Sequence, residues 1–302
     1  MKSISKKKYF ILFFLLILIV SITIKLIPNN KTLSMQSGFV GFGLFDDSGS
    51  IIDNGDTIYL EELNKSFHIK LSQNLEKSRE YSMIVFLDYE QIEFAIEDDY
   101  TKKYNFVLSD NDTLSKDIKF DINNKEAGEL SILFIKKPSD RIKKNDFSSA
   151  MKSQNIYSLR YPIGNTSDRT IHFEKDFKQF KSEVKVDFFI SKSYNDLKLI
   201  TEIKENSEVK GIFSNETNNP LNYALIALND WNQMELTNGK VSYYEIPPNT
   251  SIIADLKLPK SDSDSNIQYI AFPYPYNVSY DNIKSTQVIG SSKIHLKTSS
   301  DN

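Results

Sequence analysis

The 302-residue chain contains no cysteine. That excludes a disulfide framework, thiolate metal sites, a cysteine nucleophile and a lipid-modified cysteine as anchor. Histidine is nearly as scarce: His68, His172 and His295 belong to no HExxH or similar zinc pattern. Each sits in an alternating segment and reads as a strand-face residue. Among only ten glycines there is no phosphate-cradling loop, and no serine occupies a Gly-x-Ser-x-Gly elbow. Positive charge is also thin beyond the start. The first 31 positions hold six lysines and no acid, leaving 31 basic against 40 acidic residues in the remainder. An acidic body lacks the positive field that nucleic acids require, so no DNA or RNA partner is expected.

One long apolar run is present. Lys2, Lys6, Lys7 and Lys8 precede residues 9–27, interrupted only by Lys25 and stopped by Pro28. As a helix this run spans about 28 Å, close to the hydrocarbon thickness of a bilayer. Lys25 lies near the far end, where its stem reaches the headgroups. The basic flank places the N-terminus in the cytoplasm and the rest outside. A cleaved signal peptide would share the basic start. Its apolar core is shorter, about 7–15 residues, and a small-x-small cleavage site would follow it. A retained single-pass signal-anchor in the cell membrane is therefore favoured, with secretion after cleavage as the alternative.

The remainder alternates with a period of two. Ile118, Phe120 and Ile122 alternate with polar neighbours, as do Leu130, Ile132 and Phe134. So do Val184, Val186, Phe188 and Ile190, and then Ile252, Ala254, Leu256 and Leu258. This is the pattern of strands with one buried face. Turn residues separate the runs at Asp53-Asn54-Gly55-Asp56, Asn123-Asn124-Lys125, Asn218-Asn219-Pro220, Asn238-Gly239 and Pro247-Pro248-Asn249. Many short strands without intervening helical periods indicate sandwiches.

An internal repeat sharpens that picture. Residues 68–94 align without a gap to residues 210–236, with identities at Ser72/Ser214, Tyr81/Tyr223, Ile84/Ile226, Asp88/Asp230, Gln91/Gln233 and Glu93/Glu235. Each copy reads as a central strand, an Asp turn carrying an aromatic (Tyr89 or Trp231), and a return strand. Two further alternating strands follow each copy at a similar distance. The polar letters Asp88, Gln91 and Glu93, with Asp230, Gln233 and Glu235, are explained by turn formation and a solvent-facing strand.

The expected fold is all-β: two tandem immunoglobulin-like β-sandwich domains preceded by one N-terminal transmembrane helix. The expected divisions are a basic cytoplasmic segment 1–8, the signal-anchor 9–27, a linker 28–36, a β-sandwich 37–138, a polar linker 139–156 and a β-sandwich 157–302. A short helix fits either the second linker or Phe173–Phe180. The block of central strand, Asp turn and return strand, followed by two alternating strands, resembles immunoglobulin-like modules of bacterial cell-surface proteins, the adhesion-related CARDB-type among them. It departs from the antibody pattern in lacking both cysteines. The resemblance implies a fold and an interaction role, not a ligand.

Candidate sites are few. Tyr269, Tyr274, Tyr276 and Tyr280 surround Phe272-Pro273-Tyr274-Pro275-Tyr276. Prolines fix an extended path there, and clustered tyrosines offer amphipathic surface to sugars, peptides or proteins. The competing and favoured reading is an aromatic plug closing one end of the second sandwich. Among the acidic clusters Glu97-Asp98-Asp99, Asp110-Asn111-Asp112 and Asp262-Ser263-Asp264, the best calcium candidates are Asp110 and Asp112, although none has EF-hand spacing. No other cofactor and no catalytic residue is expected. The function that fits is a non-enzymatic envelope protein, held by residues 9–27 and binding a protein or cell-wall partner. An exported carbohydrate- or peptide-binding protein is the alternative, and an exported hydrolase the remaining one.

Overall fold

The computed structural model describes residues 38–122, 127–164, 169–180, 187–194, 197–205, 207–258, 263–282 and 285–298. The expected segments 1–8, 9–27 and 28–36 lie outside the described residues, as do the turn Asn123-Asn124-Lys125, Val184, Val186 and Asp262. Among the described residues no helix is long and apolar enough to cross a membrane.

Residues 39–302 form one compact unit that is nearly all β. It contains two sandwiches. In the first, the outer sheet runs β2 (Ile51–Ile52), β1 (Phe39–Phe45), β3 (Phe67–Asn74), β9 (Asp112–Phe120), β6 (Phe94–Ile96), β7 (Asp99–Thr101). Its inner sheet runs β11 (Tyr157–Pro162), β10 (Glu129–Lys136), β4 (Arg79–Leu87), β5 (Glu90–Gln91), with β8 (Tyr104–Leu108) also beside β4. In the second, the outer sheet runs β12 (Phe177–Phe180), β19 (Thr250–Leu256), β15 (Val209–Asn215), β13 (Phe188–Ser191). Its inner sheet runs β14 (Glu202–Lys204), β22 (Ile294–Lys297), β20 (Ser265–Pro273), β16 (Leu221–Asn229), β17 (Asn232–Met234). Beside these lie β18 (Ser242–Ile246) on β16 and β21 (Ile289–Gly290) on β20.

The two repeat copies occupy equivalent places. Their central strands are β4 and β16, and the strands that follow pair in the same register. Leu87 faces Leu130 on β10, while its counterpart Asn229 faces Ile267 on β20. Gln73 and Asn215, also aligned, are each buried and donate to the last carbonyl of the neighbouring strand. Gln73 Nε2 lies 2.7 Å from Leu108 O, and Asn215 Nδ2 lies 2.9 Å from Ile246 O. Duplication of one module accounts for both likenesses.

The inner strands are apolar on successive positions because both faces are covered. On β4, Met83, Val85 and Leu87 enter the first sandwich core, while Ile84 and Phe86 enter a third cluster. On β16, Leu225 and Ala227 enter the second core, and Ala224, Ile226 and Leu228 enter that same third cluster. Leu133, Ile135, Ile270 and Phe272 join it. The two inner sheets therefore pack face to face across a buried seam. Full burial of each large apolar side chain there contributes roughly 1.5–3 kcal/mol.

The domain boundary needs correction. β11, expected to open the second domain at residue 157, pairs with β10 along its length. It places Leu159 and Tyr161 in the first core, as edge completion by an alternating apolar strand requires. The stretch 139–156 is not a free polar linker either. Ile142 and Ala150 are buried, and Ile156 joins the seam. The short helix falls there, as α1 (Phe147–Lys152), capped by Asp146 Oδ1 accepting from Ser149 N at 3.1 Å. Phe173–Phe180 forms no helix: residues 173–176 are irregular and Phe177–Phe180 is strand. Of the histidines, His68 and His295 lie on strands and His172 does not.

Candidate functional site

The repeated Asp turn builds the seam. Asp88 and Tyr89 both have positive φ (52° and 67°), as do Asp230 and Trp231 (44° and 70°). Two left-handed residues in succession define the tight hairpin that suits strand twist. Each aspartate ties its turn to the next strand. Asp88 Oδ1 accepts from Gly128 N (2.8 Å) and Glu129 N (3.0 Å), and Asp230 Oδ1 accepts from Asn266 N (3.0 Å). The aromatics that follow enter the seam. Tyr89 packs on Phe272 and Tyr276, with ring centroids 5.1 and 5.2 Å apart. Trp231 Nε1 donates to Pro138 O at 3.1 Å.

Beside Tyr89 lies a buried ion pair absent from any reading of the sequence. Arg160 Nε and Nη2 donate to Glu129 Oε1 (2.7 Å) and Oε2 (3.0 Å), and both side chains are 1% exposed or less. Arg160 Nη1 donates to Pro273 O and Thr286 O (2.7 and 2.8 Å). Glu129 Oε2 also accepts from Tyr89 OH (2.6 Å) and Tyr276 N (3.1 Å). Burial opposes charge on Arg160, yet Glu129 and Tyr89 outweigh it and hold the guanidinium above its ordinary pKa. Burial, and then Glu129, push the Tyr89 phenol well up.

This network fixes the role of the Pro-Tyr-Pro-Tyr segment. A proline carbonyl and a tyrosine amide of the second sandwich are gripped by Arg160 and Glu129 of the first. The four candidate tyrosines do not form one surface. Tyr269 is fully buried in the second core, donating to Lys257 O, which corrects its expected place in a ligand site. Tyr274 packs against the same core, as the plug reading expected. Tyr276 is half-buried against the seam, and Tyr280 stands exposed on a turn at Tyr280–Asn282.

Tyr276 does face a cleft. Its hydroxyl is 3.1 Å from Tyr243 OH, and the Arg169 guanidinium lies 4.9 Å over its ring. Arg169 Nη1 also donates to Asp88 Oδ2 at 3.1 Å. Burial raises the Asp88 carboxyl above its usual range, opposed by the two N–H donors and Arg169. Asp88, Tyr243 and Tyr276, with Glu90, Asn238 and Lys240, line a cleft of about 600 Å³. Two tyrosine rings bordered by a carboxylate, a carboxamide and an amine can hold a peptide or sugar by stacking and hydrogen bonds.

The remaining candidates are explained locally. Asp110 Oδ1 accepts from Leu75 N and Glu76 N, both at 2.9 Å, and Asp112 Oδ1 accepts from Thr113 N at 2.8 Å. These carboxylates close turns. Among the described residues no three histidine, aspartate or glutamate side chains converge to hold a metal ion. Glu93 and Glu235 are exposed but lie just beyond the strands β5 and β17, whereas Gln91 and Gln233, expected on the same solvent face, are part-buried.

The sheet also assembles a triad that the sequence conceals. His68 Nδ1 is 2.8 Å from Asp117 Oδ1, and His68 Nε2 is 2.6 Å from Ser115 Oγ. The residue types and order are those of a nucleophilic triad. The surroundings are not. All three project from the outward face of β3 and β9, where Ser115 is exposed and the Asp117 side chain is 68% exposed. Both bonds are exposed, and water screens them. The trio is a cross-strand polar cluster.

No family model matches the sequence, and no curated protein matches it. Solved structures similar to it include the Salmonella enterica SafA pilin in complex with the SafB chaperone, at 10% identity and TM-score 0.25 over 85% of this chain and 95% of that chain. The E. coli chaperone DraB is similar at 10% identity and TM-score 0.25, over 85% of this chain and 96% of that one. BspA_C_WT is similar at 9% identity and TM-score 0.22, over 85% and 99%. At these identities and TM-scores the likenesses carry no argument about binding.

Proposed function

We propose that this chain is an envelope protein of bacterial type that acts by contact. Residues 9–27 hold it in the membrane as a retained anchor, and two immunoglobulin-like sandwiches stand outside the cell. They bind a protein or cell-wall partner, in the manner of the CARDB-type modules the repeat resembles. The observation that carries this reading is the seam. The duplicated hairpins, their aromatics and the Glu129–Arg160 pair are spent on joining the sandwiches into one body, as presentation of a fixed surface requires.

Membrane fractionation with mass spectrometry of the N-terminus tests the anchor. The expected result is the uncleaved N-terminus in the membrane fraction. A mature chain beginning after residue 27 in the medium overturns it. Crosslinking on intact cells tests the contact role, which expects a specific protein or wall polymer attached through the exported part. Recovery of the uncrosslinked chain alone overturns it.

The Tyr243–Tyr276 cleft favours a second reading, an exported peptide- or carbohydrate-binding protein. Pull-down on glycans and cell wall distinguishes it. That reading requires binding that Tyr276→Ala abolishes and Tyr280→Ala leaves intact.

A further inference from the structure

The opposite end of the seam carries an unbalanced concentration of cations. A pocket of about 330 Å³ is lined by Lys77, Arg79, Lys136, Lys137, Lys152 and Lys293, with Ser149, Ser153 and Asn155 between them. One acid, Asp140, completes the wall, and it is already engaged by Lys137 Nζ at 2.9 Å. The next carboxylate whose field reaches the pocket, Glu80, accepts from Ser139 Oγ at 2.7 Å. This clustering stands out in a chain whose net charge is −3.

Several of these cations are held without a counter-ion. Lys293 is 2% exposed, and its ammonium donates to the Lys136 and Lys137 carbonyls and lies 5.0 Å over the Trp231 ring. Lys136 rests 5.1 Å over Tyr157. Arg79 Nε is shielded from water and has no hydrogen-bond partner. Carbonyls and ring faces attract a cation but do not neutralise it. Burial, and then Arg79, lower the Lys136 amine, and burial pushes Lys293 down to about 8. Each cation would be relieved by an anion placed among them.

We propose that this pocket binds a phosphoryl group. A tetrahedral oxyanion of charge near −2 presents several acceptors at once to a guanidinium, point-charge amines and short hydroxyl donors. A carboxylate carries half that charge and fewer acceptors. The inference is independent of the contact role, since residues of both sandwiches line the pocket at the end away from Tyr276.

Isothermal titration of the full chain in non-ionic detergent, with inorganic phosphate at fixed ionic strength, tests this. Saturable 1:1 binding is expected. Lys77→Gln, at an exposed position that cannot unfold the core, should weaken it at least threefold. Arg79→Gln should weaken it tenfold or more, with native Trp231 fluorescence showing that the seam is intact. Lys65→Gln, a surface lysine elsewhere, should leave it unchanged. Equal affinity for glycerol 3-phosphate identifies a phosphoryl group carried on a larger molecule, and rejection of the ester identifies the free ion. The proposal is overturned if phosphate produces no saturable heat, if acetate binds as tightly, or if Lys65→Gln weakens binding as much as Lys77→Gln.

Discussion

Gln91 and Gln233, identical residues of the two repeat copies, hold each other's backbone across the seam. Gln91 N donates to Gln233 Oε1 and Gln233 N to Gln91 Oε1, both at 2.7 Å. Their amide nitrogens reach the opposite turns, Gln91 Nε2 to Trp231 O (3.1 Å) and Gln233 Nε2 to Tyr89 O (2.8 Å). The module therefore meets its duplicate through the same face, as subunits meet in a two-fold dimer. Each glutamine-to-alanine change leaves part-buried backbone groups unpaired, and about 1–3 kcal/mol should be lost. The two singles remove different hydrogen bonds, each glutamine accepting from the other's amide, so the double variant should cost about the sum. Urea unfolding of all four proteins checks this; no loss in either single would show the pairing to be idle.

Glu129 and Arg160 make the second tie. Arg160→Met should cost about 3–5 kcal/mol, since it strands a buried carboxylate. Pairing it with Glu129→Leu should recover much of that loss. Thermal unfolding of the single and double variants is the measurement. A double variant less stable than Arg160→Met alone would contradict it.

Gly55 is required by close approach. Its φ is +97°, and an added Cβ would fall 2.5 Å from the Ser279 carbonyl carbon, in the backbone of the second sandwich. Gly55→Ala should destabilise by about 2 kcal/mol or more. Gly49→Ala meets no atom within 4 Å and carries only its positive φ of 83°, so its cost should stay near 1 kcal/mol. Equal losses in denaturant midpoint would remove the argument from contact.

Lys293 should make stability pH-dependent. Its amine titrates near 8 in the folded chain against 10.5 for a free lysine. Between these values the unfolded chain holds a proton that the folded chain has released, so stability rises with pH. The rise is on the order of 3 kcal/mol and is absent below pH 8, where both states are protonated. Buried tyrosines such as Tyr161 and Tyr223, raised by burial, act oppositely above pH 10. The wild type should therefore gain on Lys293→Met from pH 8 to 10. A constant difference would show the amine to be unperturbed.

Ser115, His68 and Asp117 should not hydrolyse esters. Activated acetate esters should be cleaved by the wild type and Ser115→Ala at the same slow rate. A loss of tenfold or more in the variant would make the triad a working one and end the contact reading.

Much of this was legible in the residues. Alternation at Ile118–Ile122 and Leu130–Phe134, the Asp-aromatic turns and the duplication are local or periodic signals, because strand pleat and left-handed turn geometry act over a few residues. The sequence by itself thus determined the strands, the hairpins and the existence of two like sandwiches. Tyr81–Leu87 and Tyr223–Leu228 are also hydrophobic on nearly every position, which calls for cover on both faces or ends. Tertiary structure alone decided what covers them. Joining Gln91 to Gln233, Glu129 to Arg160, and His68 to Ser115 and Asp117 requires contacts between residues from 31 to 142 positions apart. No local periodicity encodes such contacts; they follow from which sheet faces remain apolar after each core has closed.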